Sequence, residues 1–283
     1  MMTLKKYLLL VLAVGYSFNS CDVIEEPFIQ EIIVEECTQK CKKILLEDYT
    51  GHTCGSCPRA AEKATELKEI YGEFVIPIAV HAGYFAEPYS TGDKYRTDFR
   101  TDAGNNWNQH FGNSSAGNPN GMINRINYSE GSHIFQYTTW SQKVQELLEQ
   151  EPEVYITINP SYIETNQSII VSIQTEILSE IEYPINLSVV LTENHIIDNQ
   201  KDYSFEPDFL ADYEHNHVLR KSLTGDWGVN LERNEYAVGD LIEKNFLINL
   251  DSLWVPENLS VVAFVSNTNT YEVLQAEEIH LID

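Results

Sequence analysis

Cysteine stops early in this chain: all five lie before residue 58, so whatever folds beyond that point does so without a disulfide framework. Basic residues are also scarce, 18 Lys and Arg against 43 Asp and Glu, for a formal charge of −25. Neutralising phosphates needs the opposite sign, which argues against nucleic acid as a partner. Such a charge suits solubility on a crowded surface. Long apolar runs are missing at the N-terminus: Tyr7 to Val14 falls well short of the ~20 residues of a membrane-spanning helix. What remains is ordinary for a globular chain, with 43% hydrophobic and 11% aromatic residues over 283 positions, enough for two domains with cores of their own.

Residues 1–20 read as an export signal: Lys5 and Lys6 precede the apolar run, and small or polar residues precede Cys21. Phe18-Asn19-Ser20-Cys21 resembles a bacterial lipobox, which implies that Cys21 becomes the lipidated first residue of the mature chain. Acyl chains then tie the protein to a membrane without a transmembrane helix. Residues 21–43, acidic and broken by Pro27, form a tether. Export leaves Cys37, Cys41, Cys54 and Cys57, an even number in an oxidising compartment.

Ile44 to Pro58 organises the rest. An apolar run ends in a turn at Gly51, two cysteines follow at a Cys-X-X-Cys spacing, and Arg59 to Tyr71 carries apolar residues at helical intervals with Gly72 as a stop. That order predicts strand, turn, dithiol, helix, with Cys54 at the helix N-terminus, where backbone N–H groups lower a thiol pKa. Cys57, a turn further on, is placed to resolve a mixed disulfide at Cys54. Phe74 to Val80 reads as a second strand parallel to the first, although Pro77 cannot donate to a ladder.

Asp48, six residues before Cys54, and Pro119 in Gly117-Asn118-Pro119-Asn120-Gly121 make this region resemble a thioredoxin-fold domain spanning residues 44–151, with a long insertion at 81–116. The resemblance implies that Asp48 relays a proton for Cys57 and that Pro119 is a cis-proline opening the third core strand beside a Cys54–Cys57 disulfide. Ser56, and His52-Thr53 before the dithiol, depart from thioredoxin itself and leave the direction of exchange open. Met122 to Tyr128 and Ser132 to Tyr137 suggest a hairpin, and Thr139 to Gln150 a closing amphipathic helix.

Beyond Glu151-Pro152-Glu153 the period changes to two. Val154-Ile156-Ile158, Ile169-Val171-Ile173, Leu187-Val189-Leu191, Phe246-Ile248-Leu250 and Leu259-Val261-Ala263-Val265 each alternate. They predict an immunoglobulin-like β-sandwich over residues 152–283. The acidic, aromatic stretch Asp198 to Asp212 reads as a solvated loop, with calcium or a partner as the alternative, and His215 and His217 as structural.

Cys37-x3-Cys41 reads as a local Cys37–Cys41 disulfide, a second redox pair, or half of a four-thiolate zinc site with Cys54 and Cys57. Zinc leaves Asp48 and Pro119 unexplained, so no metal and no cofactor is expected. The lipobox-like start, residues 45–60 and residues 117–125 with Asn124-Arg125 together look like the 28-kilodalton-type outer-membrane lipoproteins that carry a thioredoxin-like domain. That resemblance implies a lipid anchor in the outer membrane, on its periplasmic or surface face. Two functions follow: a thiol–disulfide oxidoreductase acting on protein thiols or disulfides through Cys54, Cys57, Asp48 and Pro119, or a surface binding and scaffold lipoprotein whose disulfide is structural.

Overall fold

The computed structural model describes residues 40–163 and 168–282. The expected signal, the lipidated Cys21, most of the tether and Cys37 lie outside the described residues. The tether's last residues already belong to the body: Lys43 is buried, and its ammonium pairs with Glu73 and Glu277 at 2.7 Å each.

Strand β1 (Ile44–Thr50) is buried along its whole length, as its apolar run requires. Helix α1 (Pro58–Tyr71) follows the dithiol turn and ends at Gly72, whose φ of +57° suits a residue without a Cβ. Strand β2 (Val75–His81) returns parallel to β1, with Leu46 opposite Pro77. Pro77 is tolerated for a reason of phase. The Ala79 N–H points away from β1, to the His217 carbonyl at 2.8 Å, so by the two-residue period position 77 faces the same way, into a cavity rather than a ladder.

Helix α2 (Asp102–Phe111) is capped by Thr101, whose hydroxyl accepts the Gly104 N–H at 3.0 Å, and short α3 (Asn113–Ala116) follows it. Strand β3 (Asn120–Ile123) enters through a cis Asn118–Pro119 peptide and runs antiparallel to β1 on the side away from β2. Helix α4 (Trp140–Leu148) buries Trp140, Val144 and Leu147. The expected hairpin around Gly131 is reduced to one bridge, Gly121 to Phe135. Asn124, Arg125 and Asn127 adopt positive φ, which ends the strand and turns the Arg125 side chain inward.

The remaining strands are β4 (Val154–Ile163), β5 (Ser168–Ile177), β6 (Ile185–Glu193), β7 (Ile196–Lys201), β8 (Phe209–His215), β9 (Val218–Ser222), β10 (Val229–Asn230), β11 (Leu241–Asn249), β12 (Leu259–Asn267) and β13 (Val273–His280). A three-stranded sheet, β11-β5-β4, packs its apolar face on a larger one. The alternation visible in the sequence is this packing: Ile156, Val171 and Ile173 meet Leu187, Val189, Val261 and Ala263.

The larger sheet runs β13-β12-β6-β9-β2-β1-β3, with β10 added alongside β6. Strand β9 is the joint, antiparallel to β6 and parallel to β2 at Ala79 opposite Val218. One sheet therefore crosses residue 151, and the described residues on both sides of it belong to one compact unit. It also explains why β6 and β12 carry apolar residues on both faces. Leu187, Val189, Val261 and Ala263 face the three-stranded sheet, while Val190, Val262 and Phe264 pack with Val80, Trp107 and Phe111 on the opposite side.

Within this second core lies a buried ion pair. Arg125 donates from Nε and Nη2 to the Glu47 carboxylate at 2.8 and 2.7 Å, and its guanidinium sits about 5 Å from the rings of Trp107, Phe111 and Phe264. Removing one partner strands a charge in an apolar interior. Glu47→Ala or Arg125→Ala is therefore expected to lower the urea-unfolding free energy by roughly 3–5 kcal/mol. The double variant Glu47→Leu with Arg125→Met should lose less than either, and single variants within about 1 kcal/mol of wild type would contradict this role.

Candidate active site: a dithiol turn covered by a hairpin

Cys54 and Cys57 are joined as a disulfide, with Cα atoms 5.4 Å apart. The turn between β1 and α1 is held by the Cys54 N–H donating to the Gly51 carbonyl at 2.9 Å and the Cys57 N–H donating to the Cys54 carbonyl at 3.2 Å. Thr53 fastens it from the side, its N–H and hydroxyl both donating to the Phe85 carbonyl. Gly51 makes that approach possible, since a Cβ there would lie 2.3 Å from the Phe85 carbonyl carbon.

The helix start differs from the sequence expectation. Helix α1 begins at Pro58 with Cys57 at the N-cap, so Cys57, not Cys54, adjoins the helix N-terminus. Proline at the first helical position explains the boundary, because its missing N–H costs nothing there. His52 lies two residues before Cys54 and is buried. Its buried ring stacks on Tyr95 at 5.6 Å and meets Phe99 edge-on, and burial lowers its pKa and keeps it neutral.

Asp48 lies on β1, 2% exposed, with Oδ1 buried and without a hydrogen-bond partner. Burial pushes its pKa up to about 8, so near neutrality it is a protonated acid. It lines a cavity of about 1130 Å³ together with Cys57, Pro77, Gln200, Tyr213 and His215. Pro119 stands at the head of β3, where the preceding Asn118 amide donates to the Tyr49 carbonyl at 2.9 Å. The four expected residues thus come from the neighbouring strands β1 and β3 and from the turn that follows β1. The pairing of Cys37 with Cys41 falls partly outside the described residues; Cys41 is disulfide-bonded. With Cys54 and Cys57 oxidised, the four-thiolate zinc arrangement is not formed, and among the described residues no three His, Cys, Asp or Glu side chains converge on a metal position.

Sequence reasoning missed the cover. Residues 198–212, expected as a solvated loop, form most of the β7–β8 hairpin, which lies against the dithiol turn. Lys201 N–H donates to the His52 carbonyl and Tyr203 N–H to the Gly55 carbonyl, both at 2.8 Å, while the Gln200 amide donates to the Cys54 carbonyl at 3.1 Å. The sulfur-bearing residues are left 3% (Cys54) and 1% (Cys57) exposed. His215, at the end of β8, packs against His81 and Phe99, with ring centroids 5.7 and 5.0 Å away, and burial lowers its pKa to about 4. Phe209 and Tyr213, whose rings meet Tyr95 and His215, were the sequence signal for a packed segment.

The family model of the outer membrane protein Omp28 matches residues 92–281. The chain belongs to the Omp28 family. That membership places it at the outer membrane, and among the described residues no helix is long and apolar enough to cross a bilayer. The Omp28 match begins beyond Cys57. HBP35 of Porphyromonas gingivalis has a similar fold, with a TM-score of 0.61 at 18% identity over 86% of this chain and 76% of that one. A protein from Agrobacterium tumefaciens superposes at 0.50, with 10% identity over 87% and 97%. A domain of the outer membrane lipoprotein Omp28 from P. gingivalis is 22% identical over 46% of this chain and 89% of its own, with a TM-score of 0.32. No curated protein matches the chain.

The buried acid makes stability depend on pH. Folding raises the Asp48 pKa from 3.8 to about 8, so its contribution is complete below the lower value and lost as pH rises through the upper one. Asn carries no charge to desolvate. Asp48→Asn is expected to gain on wild type in urea unfolding between about pH 5 and pH 8.5, by an amount on the order of a few kcal/mol. An equal wild-type-to-variant difference at both pH values would contradict the assignment.

Proposed function

We propose that this Omp28-family protein is a lipid-anchored envelope thiol–disulfide oxidoreductase, with a thioredoxin-like core carrying the Cys54–Cys57 dithiol and an immunoglobulin-like sandwich fused to it. The observation that carries the reading is the shared cavity of Cys57 and the protonated Asp48, beside a strand led by cis-Pro119.

In the oxidising direction a client thiolate attacks Cys54 Sγ, the Cys54–Cys57 bond breaks, and Cys57 leaves as a thiolate that takes the Asp48 proton. A second client thiolate then attacks its own sulfur in the mixed disulfide, forming the client disulfide and releasing Cys54 reduced. The reducing direction runs the same steps backwards, with Asp48 taking the Cys57 proton. Protein thiols or disulfides are the substrates, and Cys21 supplies the membrane anchor.

A second reading, a binding and scaffold lipoprotein with a structural disulfide, draws support from the burial of both sulfurs under the hairpin. Trapping separates the two. A full-chain Cys57→Ala variant expressed in the envelope is expected to accumulate mixed disulfides that dithiothreitol dissolves and that vanish when Cys54→Ser is added. Absence of Cys54-dependent adducts would favour the scaffold.

A further inference from the structure

The segment between β6 and β9 leaves the main sheet and pairs with itself: β7 and β8 form a two-stranded sheet of their own. Two consecutive alternate residues of this segment, Lys201 and Tyr203, present their N–H groups to the carbonyls of His52 and Gly55. Donors two residues apart lie on one side of an extended strand, and here both meet carbonyls of the dithiol turn rather than a sheet edge. Side chains complete the contact. The Tyr203 ring fills the space beside Gly55, where a Cβ would lie 2.6 Å from its carbons, and Gln200 reaches the Cys54 carbonyl.

Resting on the oxidoreductase reading, we propose that the hairpin is an internal occupant of the dithiol's strand-binding face, and that an extended polypeptide client must displace it to reach Cys54. The carbonyls of His52 and Gly55 are the main-chain acceptors for which hairpin and client compete.

The hairpin is built for this, being fixed at its base and loosely held at its tip. At the base, His215 packs on His81 and Phe99, the Tyr95 N–H donates to the Asn199 side chain at 3.0 Å, and Thr97 bonds Asp198. The tip is held mainly by the contacts with the dithiol turn, and its aromatics Tyr203 and Phe205 are 58% and 54% exposed. A two-stranded hairpin is marginal by itself, so the tip can lift without breaking the main sheet. Exposed aromatics beside the groove give an arriving polypeptide an apolar foothold.

The test uses the full chain, oxidised, and follows loss of the Cys54–Cys57 bond with two reductants, dithiothreitol and an unstructured seven-residue peptide bearing one central cysteine. Tyr203→Pro with Gln200→Ala removes one main-chain donor, the ring and the amide contact. Because two hydrogen bonds and a packed ring are lost, reduction by the peptide is expected to speed up by about tenfold or more, with a clearly smaller gain for dithiothreitol. The milder Tyr203→Ala, which keeps the backbone donor, should show the same preference at about threefold and decides the matter should the proline variant not fold. Unchanged peptide rates in a folded variant would overturn the proposal, as would equal acceleration of both reductants, which would mean shielding of the sulfurs without competition for the strand-binding face. A bond that resists dithiothreitol in wild type and variants alike would instead overturn the oxidoreductase reading itself.

Discussion

The parallel junction of β9 with β2 is the constraint on which the rest depends. It is short, with one paired position, Ala79 with Val218, and one bond from the Ala79 amide to the His217 carbonyl. Because β6 and β9 are neighbours there, the chain between them leaves and re-enters the sheet beside Ala79, within reach of the turn after β1. The hairpin falls across Cys54 and Cys57 for that topological reason. The same junction covers part of an edge that β2 would otherwise leave open, and open edges invite unwanted pairing.

The electrostatics of the site follow from the alternation of one strand. Glu47 and Asp48 are adjacent on β1, so their side chains emerge on opposite faces. Glu47 meets the Arg125 guanidinium, ringed by Trp107, Phe111 and Phe264, two of which come from the N-terminal half and one from β12. Asp48 has burial without a compensating cation, and responds by keeping its proton. The histidines around it respond to the same dryness in the opposite sense: burial holds His52, His81 and His215 neutral. In the proposed exchange Asp48 is then the group that gives and takes the proton, with the nearby imidazoles neutral rather than cationic.

Local signals carried the first part of the molecule. The apolar run of β1, the Gly51 turn, the helical spacing after Pro58 and the return strand are each determined by contacts near in sequence, and the structure has all four. The alternation at Val154, Ile169, Leu187 and Leu259 was equally legible, because one face of each strand meets the same sandwich core. The continuity of the sheet was not. β9 has five residues, Val-Leu-Arg-Lys-Ser, and its partners β2 and β6 are set by long-range pairing that leaves no mark on its composition. The hairpin was hidden similarly, since acidic residues on its outer surface outweigh the Gln200 and Tyr203 contacts that dock it. The hairpin around Gly131 failed for a local reason, the positive φ values at Asn124, Arg125 and Asn127 that cut short its first arm, which the demand of Glu47 for a buried cation accounts for at Arg125.

The central claim is that the Cys54–Cys57 bond exchanges with protein thiols. Its reduction potential, measured on the full chain against graded thiol–disulfide buffers, tests this most directly. The account predicts a value between roughly −120 and −270 mV, the range of exchanging dithiols, whereas a value below about −300 mV would mark a structural bond and contradict it.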